Sequence, residues 1–388
     1  MWAEKYRPKR LQQVIGQTKV VEKLEQYLHQ GPKTLPNLLF YGPAGVSKTT
    51  CALALIREFI YRHINTLPST TNKNINTTLS VNERVESIKD NITQEMNASV
   101  DRSIQVIRDK VESSAMNKSL WSEGFPIKFI IMDECDAMLH DAQGAMRRAM
   151  EKWMKNVRFI LICNDRSKLL TAIVSRCTAY GFDQIDPSLM ACALVRIGES
   201  EKIGCSYTTY ETKLESMRVL AAYQRGDFRS ALNAIQNMAA KSSFLKARKK
   251  KASEEKMADD IQEEEHIFSP GAVSEFLGIP PIQQCHTWLT HIQEAAINNT
   301  LGQDFLLTVK TSTSFVQTQG YTLEAWTNGI LDYVLDHMET YPWRRSWICA
   351  LHKAQIRSDS DCDIFIVLSG LVADLWIAVR SFKEVKKN

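Results

Sequence analysis

The feature that most constrains the fold is a glycine-rich segment that joins an apolar run to an amphipathic run. Residues 37–41 (NLLFY) have the composition of a buried strand, and residues 49–61 have the pattern of a helix. A strand, a glycine-rich loop and a helix in this order are typical of a phosphate-binding P-loop, in which backbone amides wrap the phosphates. The loop comprises Gly42, Pro43, Ala44, Gly45, Val46, Ser47, Lys48 and Thr49.

Two side chains of this loop carry the predicted chemistry. The Lys48 ammonium is placed to reach the β- and γ-phosphates of a nucleotide, and the Thr49 hydroxyl to hold Mg²⁺. The consensus has glycine before the lysine, and Ser47 stands there instead. Because serine has a Cβ atom, a positive φ at this position costs roughly 1 kcal/mol or more, whereas a negative φ lets a small residue fit. We expect Ser47 to be tolerated in the loop. Its effect on the rate of nucleotide hydrolysis does not follow from the sequence.

A second element lies further along the chain, where residues 129–132 (FIIM) run as an apolar strand into Asp133 and Glu134. An apolar strand ending in Asp-Glu is the Walker B arrangement, in which Asp133 would hold the Mg²⁺ shell and Glu134 would polarise the attacking water. Taken alone, the pattern also fits a strand followed by a solvated acidic turn. Together with the P-loop, in this order and separation, it predicts ATP and Mg²⁺ as cofactors.

The alternation of short apolar runs and amphipathic stretches predicts the domain organisation. Strands separated by helices over residues 1–184 indicate a parallel sheet with helices on both faces. Within this α/β core, residues 62–91 are rich in Asn, Thr and Ser and are interpreted as a surface insertion, part loop and part short helix. A helical region follows over 185–243, then a charged linker over 244–266, then an all-helical region over 267–388.

Composition limits the classes of partner and compartment. A net charge of +4 permits nucleic-acid binding but requires that any DNA contact come from a local patch. The nine cysteines include no CxxC pair, so a zinc site is not expected and reduced thiols are. Charged residues at the N-terminus are not those of a signal peptide. The apolar run 364–379 falls short of the ~20 residues that span a bilayer, which favours a buried helix.

With these motifs in place, the chain resembles the small subunits of replication factor C, the AAA+ sliding-clamp loaders, over most of residues 1–240. Each short match is modest, but they stand in the family's order. The departures are Ser47, the insertion and the linker, which indicate a divergent lineage. The matching segments are residues 2–8 (WAEKYRP) with 14–17 (VIGQ), 95–102 (EMNASVDR), 133–136 (DECD), 141–151 (DAQGAMRRAME), 163–165 (CND), 175–177 (SRC) and 226–233 (GDFRSALN).

The resemblance implies an AAA+ core, a helical lid and an oligomerising helical collar, with roles for single residues. Asn164 would be the sensor 1 residue that positions water, Arg229 the sensor 2 residue, and Arg176 an arginine finger acting in trans on a neighbouring subunit. The implied catalytic set is Glu134, Lys48, Asn164, Arg176 and Arg229. The nucleotide-binding set, with an adenine wall from the N-terminal segment, is Tyr6, Arg7, Pro8, Val14, Ile15, Gly42, Pro43, Ala44, Gly45, Val46, Ser47, Lys48, Thr49, Thr50, Asn164 and Arg229.

The implied partners are the other subunits of a pentameric ring, a PCNA-like sliding clamp and primer–template DNA, in the nucleus or in a viral replication compartment. DNA contacts on the ring's inner face would go to phosphates and be sensitive to salt. For Arg147 and Arg148 the alternative is ion pairing on a solvated face. The predicted DNA-binding residues are Arg102, Arg108, Lys110, Arg147 and Arg148.

Three alternatives remain at this point. The first is a loader paralogue for a damage checkpoint or an alternative clamp, whose motifs would look the same. The second is a structural subunit that binds ATP without hydrolysing it, which Ser47 favours and Glu134 and Arg176 oppose. The third is another AAA+ branch, such as a branch-migration helicase, against which residues 175–177 and the helical collar weigh. The sequence does not identify the ring position, the clamp or the host.

Overall fold

The computed structural model describes residues 1–66, 80–99, 111–113, 125–201, 203, 209–252, 269–280, 282–298, 301–319, 321–337, 343–358 and 362–385. Contacts between Cα atoms divide the chain into two compact units, Met1–Ser206 with Leu220–Lys256, and Tyr207–Val219 with Met257–Asn388. These units group the residues differently from the predicted domains, whose boundaries stay predictions.

The first unit is built on a parallel sheet of five strands in the order β2-β3-β4-β1-β5. All four strand pairs are parallel. The strands are β1 Leu38–Tyr41, β2 Thr93–Asn97, β3 Lys128–Asp133, β4 Val157–Cys163 and β5 Thr178–Gly181. The predicted parallel sheet is therefore confirmed, and the apolar runs at 37–41, 129–132 and 157–163 form three of its strands.

Helices cover both faces of this sheet. Along β1, Leu38 and Phe40 belong to one buried cluster and Leu39 to another, as the alternation of side chains in a strand requires. A parallel sheet that is buried on both faces needs nearly continuous apolar strands, and β3 and β4 have them. The helices up to residue 252 are α1 Trp2–Lys5, α2 Thr18–Gln30, α3 Lys48–Thr66, α4 Val81–Ile92, α5 His140–Lys152, α6 Thr171–Val174, α7 Pro187–Ser200, α8 Tyr210–Tyr223 and α9 Phe228–Ala252.

Short 3-10 helices lie between these elements, at Leu11–Gln13, Pro32–Thr34, Cys135–Ala137 and Arg166–Lys168. The parallel pairing brings the carboxyl ends of β1, β3 and β4 to one edge of the sheet, where Tyr41 is paired with Cys163. Ligand sites of α/β sheets lie outside this edge. The loop after β1, the acidic residues after β3 and the polar residue after β4 therefore meet there.

The predicted surface insertion over 62–91, part loop and part short helix, overlaps two helices at its ends. The P-loop helix α3 continues to Thr66, and α4 begins after Ser80, whose side chain accepts a hydrogen bond from the Glu83 amide at 3.3 Å. On α4, Val85, Ile88 and Ile92 are buried, because the spacing i, i+3, i+7 puts them on one helix face. This helix is part of the core. Residues 67–79 lie outside the described residues.

The predicted linker over 244–266 overlaps the end of helix α9, and its bounds stay a prediction. Helix α9 continues through the basic block to Ala252. The reason is local, since Lys, Arg and Ala are among the strongest helix formers, so opposite-sign charge blocks do not by themselves end a helix. The remainder of the predicted linker, from residue 253, lies outside the described residues.

All described secondary-structure elements of the second unit are helices. Its helices beyond residue 269 are α10 Pro270–Leu277, α11 Ile282–Asn298, α12 Leu301–Gln319, α13 Leu323–Asp336, α14 Arg344–Ser358 and α15 Ile364–Val385. Trp326 and Trp347 are fully buried in its core, and the Trp347 indole donates to the Leu375 carbonyl at 3.0 Å. The fold class, an α/β P-loop core followed by helical regions, is thus confirmed.

One helix of this unit is long and apolar enough to cross a membrane, over Ile364–Ser381 of α15. Its residues Val367, Leu371 and Leu375 are fully buried in the core of the unit. A helix in the core of a protein is equally long and apolar, and it buries one stripe of apolar residues against its neighbours, as α15 does. The prediction of a buried helix over 364–379 is confirmed for this face.

The core position of α4 generates a prediction about stability. Ile88→Ala should lower the free energy of unfolding by about 2–5 kcal/mol, because it removes buried methyl groups and leaves a cavity. Asn82→Ala, an exposed position on the same helix, should change it by no more than about 0.5 kcal/mol. Urea unfolding of the full chain measures both. Equal stabilities of the two variants would show that α4 does not pack in the core.

Candidate nucleotide site

The loop between β1 and α3 is shaped by residues with positive φ. Gly42 has φ +142° and Gly45 has φ +72°. A Cβ atom on Gly42 would lie 2.2 Å from the backbone oxygen of Phe182, and one on Gly45 would lie 1.9 Å from Oδ1 of Asp227. Only glycine fits at these two positions. The backbone therefore approaches its neighbours closely here, as a phosphate-wrapping loop requires.

Ser47 also lies in the left-handed region, with φ +73°. Of the two conformations considered for this position, the structure has the positive φ, which carries the penalty for a Cβ atom. The loop must turn directly into α3, where the Ser47 carbonyl already accepts a hydrogen bond from the Cys51 amide at 2.9 Å. A residue with a Cβ atom is held in a conformation that costs it about 1 kcal/mol or more.

The Lys48 side chain is buried against this loop. Its ammonium donates to the carbonyl oxygens of Gly42 and Pro43, both at 2.6 Å, and to Oδ1 of Asn164 at 2.8 Å. Burial lowers the pKa of Lys48, and the nearby Asp133 carboxylate acts in the opposite direction. An ammonium has three N–H donors, and each finds an acceptor here. The side chain is thus fixed at the phosphate end of the loop before any phosphate arrives.

The predicted Mg²⁺ ligands are brought together at the same edge. The Thr49 hydroxyl donates to Oδ2 of Asp133 at 2.7 Å, and the other oxygen of that carboxylate accepts from the Glu134 amide at 2.9 Å. The described residues contain no cluster of three or more His, Cys, Asp or Glu that could hold a metal ion. One hydroxyl and one carboxylate suit Mg²⁺, which takes oxygen ligands, keeps several waters and binds through one or two carboxylates plus phosphates.

Glu134 stands at the end of β3 in an unusual conformation. Its backbone has φ +55° and ψ +40°, in the left-handed region, and its side chain is exposed. Non-glycine residues in this region cost of order 1–3 kcal/mol and cluster at functional sites. The turn directs the chain away from β3 immediately after Asp133. As a result the Asp133 side chain is partly buried, whereas that of Glu134 is exposed.

Sequence reasoning missed Asp136 as a site residue. Its Oδ2 accepts from the backbone amides of Asn164 at 3.3 Å and Asp165 at 3.2 Å. Asp136 therefore joins the segment after β3 to the segment after β4. It holds the backbone of Asn164, whose side chain accepts a hydrogen bond from Lys48. The available signal was its place as the fourth residue of the acidic box.

These elements line an open cavity of about 180 Å³. The predicted wall residues Tyr6, Arg7 and Pro8 line it, whereas Val14 packs against the core and Ile15 is half-buried away from the lining. Three lining residues were not predicted from the sequence, Ala3, Phe228 and Leu232. The full lining is Ala3, Tyr6, Arg7, Pro8, Ala44, Gly45, Val46, Ser47, Lys48, Thr49, Thr50, Asp133, Glu134, Asn164, Phe228, Arg229 and Leu232.

Arg176, the predicted finger, lies outside this lining. Its guanidinium donates to the Ala172 carbonyl at 2.6 Å and pairs with the Glu151 carboxylate at 2.7 Å. The side chain is about one third exposed, at 36%. An exposed pair of this kind is worth at most about 1 kcal/mol, so it can be exchanged for a stronger contact.

The predicted DNA contacts are described only in part. Arg147 is partly exposed and Arg148 exposed on α5. Within the described residues neither guanidinium has a carboxylate within 4.0 Å, so the alternative of ion pairing is not observed for them. Arg102, Arg108 and Lys110 lie outside the described residues.

Comparisons with known proteins found a matching family model and several relatives. A family model described as DNA polymerase III, delta subunit, matches residues 16–186. The replication factor C small subunit of Archaeoglobus fulgidus is 37% identical over 240 residues, 62% of this chain and 64% of that protein. Human replication factor C subunit 5 is 35% identical over 61% of this chain and 59% of its own length. The chain thus matches less than two thirds of these relatives.

Among solved structures, a point variant of Thermotoga maritima RuvB is 15% identical with a TM-score of 0.48. That likeness covers 86% of this chain and 91% of the RuvB chain. It is too slight to bear on function.

The strain at Ser47 gives a prediction for the phosphate loop. Ser47→Gly should raise the free energy of unfolding by up to about 1 kcal/mol, because glycine adopts positive φ without a Cβ penalty. ATP affinity should change only modestly. Gly42→Ala should do the reverse and destabilise the chain, since its Cβ atom would meet the Phe182 carbonyl at 2.2 Å. Thermal unfolding with and without ATP measures both, and a destabilising Ser47→Gly would contradict the assignment of strain.

Proposed function

We propose that this chain, which is 37% identical to an archaeal replication factor C small subunit over 62% of its length, is an ATPase subunit of a sliding-clamp loader. It would help to open a clamp and place it on primer–template DNA during replication. The observation that supports its ATP site most directly is a pair of hydrogen bonds. The hydrogen bond from Lys48 to Asn164 joins the P-loop to the proposed sensor 1 residue. The hydrogen bond from Thr49 to Asp133 joins the P-loop to the strand that ends in the acidic box.

The roles of the residues follow from their places. Phosphoryl transfer needs positioning and charge stabilisation more than covalent chemistry, and Mg²⁺ when bound would offset charge on the β- and γ-phosphate oxygens. Thr49 and Asp133 would hold that ion. Lys48 would exchange its carbonyl acceptors for phosphate oxygens.

Three further residues would act at the γ-phosphate. The exposed Glu134 carboxylate would accept a hydrogen bond from the attacking water and orient its lone pair toward phosphorus. Asn164 would help position that water from the end of β4. Arg229, which lines the cavity from α9, would bind the γ-phosphate from the lid side.

Hydrolysis would be completed between subunits. Arg176 does not line the cavity of its own chain, which suits a finger that acts on a neighbour's nucleotide. An arginine finger is worth roughly 10³–10⁵ in rate. The catalytic unit would therefore be a ring, in the proposal a pentamer with other loader subunits, and the Arg176–Glu151 pair would open as the ring forms.

The proposed partners are a PCNA-like clamp and primer–template DNA, and the proposed compartment is the nucleus, or a viral replication compartment if the chain is virus-encoded. Arg147 and Arg148 have no competing carboxylate among the described residues, which leaves both free to bind phosphates. Such contacts would be independent of sequence and weaken with salt. A loader of this kind would also serve DNA repair synthesis. Co-purification would separate it from a checkpoint or alternative-clamp paralogue.

A second candidate is a structural subunit that binds ATP without hydrolysing it. Ser47 favours it, because this residue stands where the P-loop consensus has glycine. The presence of Glu134 in the cavity lining opposes it, because a site that only binds nucleotide has no need of a carboxylate at the γ-phosphate.

The proposed role of Glu134 separates hydrolysis from binding. Glu134→Gln keeps the size and hydrogen bonding of the side chain but removes its charge, so ATP should still bind while turnover falls by roughly 10² or more. Clamp binding should persist, and clamp release on DNA should slow. Lys48→Ala should instead weaken ATP binding and with it clamp opening. Nucleotide binding and phosphate release by the assembled complex measure the difference.

Two outcomes would contradict this scheme. If both variants lost nucleotide, Glu134 would be structural. If neither changed the activity of the complex, the structural-subunit candidate would replace the proposal.

The proposed role of Arg176 is directional. Arg176→Ala should leave ATP binding by this chain intact and slow hydrolysis at the adjacent site. Complexes in which each partner site is disabled in turn identify the site that fails. Arg196→Ala, which removes an exposed guanidinium on α7, is the matched control and should be silent. A loss confined to this chain's own P-loop would count against a finger acting in trans.

A further inference from the structure

Glu201 follows the last residue of α7, in the helical lid, and binds the N-terminal segment. Its Oε1 accepts from the Tyr6 hydroxyl at 2.6 Å and from the Lys5 ammonium at 2.5 Å. The Glu201 side chain is only 18% exposed. The hydrogen bond from Lys5 lowers the pKa of Glu201 most, and the one from Tyr6 lowers it further. The carboxylate is therefore ionised at neutral pH.

A second lid helix binds the same segment. The Trp2 amide donates to Oε1 of Gln236 on α9 at 2.9 Å. On that helix, Arg229 and Leu232 line the nucleotide cavity, and Gln236 follows them at i+7 and i+4. Residues at this spacing share one helix face. The face that supplies the proposed γ-phosphate ligand therefore also holds the start of the chain.

The far end of the segment is tied to the α/β core instead. The Leu11 amide donates to Oε1 of Glu58 on α3 at 2.7 Å. The buried Gln17 side chain donates to the Asp183 carbonyl at 2.7 Å. The residues between these anchors include Tyr6, Arg7 and Pro8, which line the cavity. This wall is thus a strap with one end on the lid and the other on the core.

We propose that Glu201 is a positioning residue for the nucleotide, acting through Tyr6 to hold the strap against the end of the cavity away from the phosphates. The inference rests on the proposed function in taking ATP as the ligand. Lys48, Thr49 and Asp133 bind the phosphate end without help from the strap. We call the hydrogen bond from the Tyr6 hydroxyl to Glu201 the latch. The latch therefore affects recognition of the base and ribose and leaves recognition of the phosphates unchanged.

The Glu201→Gln variant tests this in the full chain. It keeps the shape of the side chain but weakens its acceptor, so it should reduce ATP affinity by about three- to tenfold, chiefly through faster dissociation. Affinity for inorganic tripolyphosphate with Mg²⁺, which has no base or ribose, should be unchanged. The matched control is Glu199→Gln, which makes the same charge change at an exposed position of α7 and should alter neither affinity.

Tyr6→Phe gives a second, independent test, because it removes only the hydroxyl that Glu201 accepts from. If the two residues act through one hydrogen bond, the double variant should bind ATP no more weakly than the weaker single variant. Thermal unfolding of each variant without ligand should show unchanged stability, which separates positioning from general loss of structure.

The outcomes distinguish this inference from the function on which it rests. If the wild-type chain binds neither ATP nor tripolyphosphate, the proposed function fails and the latch with it. If the wild type binds ATP and Glu201→Gln binds it equally well, the latch alone is overturned. A Glu201→Gln variant that loses tripolyphosphate as strongly as ATP would also overturn it, because the effect would then extend to the phosphate end.

Discussion

Parallel pairing of β1 with β4, and of β4 with β3, is the constraint from which the site follows. Three strands that run in one direction deliver their carboxyl ends to one edge, so the residues after each strand become neighbours although they are far apart in sequence. Lys48 then reaches Asn164, and Thr49 reaches Asp133. An antiparallel placement of any of these strands would send its polar end to the opposite edge.

Backbone strain is concentrated around this edge. The described non-glycine residues with positive φ are Ser47, Glu134 and Arg225. Ser47 and Glu134 line the cavity, and Arg225 precedes the turn that leads into α9. In that turn Gly226 has φ +86°, and Asp227 comes so close to Gly45 that a Cβ atom there would overlap it. Strain of this kind persists where surrounding contacts over-determine the backbone, which is what a preorganised phosphate site requires.

The helices of the predicted lid contribute to the cavity in two distinct ways. Helix α9 brings Arg229 and Leu232 to the lining directly. It also holds the N-terminal strap through Gln236, while Glu201 holds the same strap from the end of α7. The strap continues to Leu11, whose amide donates to Glu58 on α3, so it connects these helices to the α/β core.

The sequence by itself determined three of the five strands, the glycine-rich loop after β1 and the acidic pair after β3, because apolar runs and glycine spacing are local properties that a short segment carries alone. It also indicated Arg229 and Asn164, through motifs of a few residues. The tertiary structure decided the rest. Whether α4 is core or insertion depends on a surface to cover Ile88, the φ of Ser47 depends on the entry angle of α3, and the latch joins Tyr6 to Glu201, 195 residues away. Such contacts are set by how distant elements pack, which no local pattern encodes.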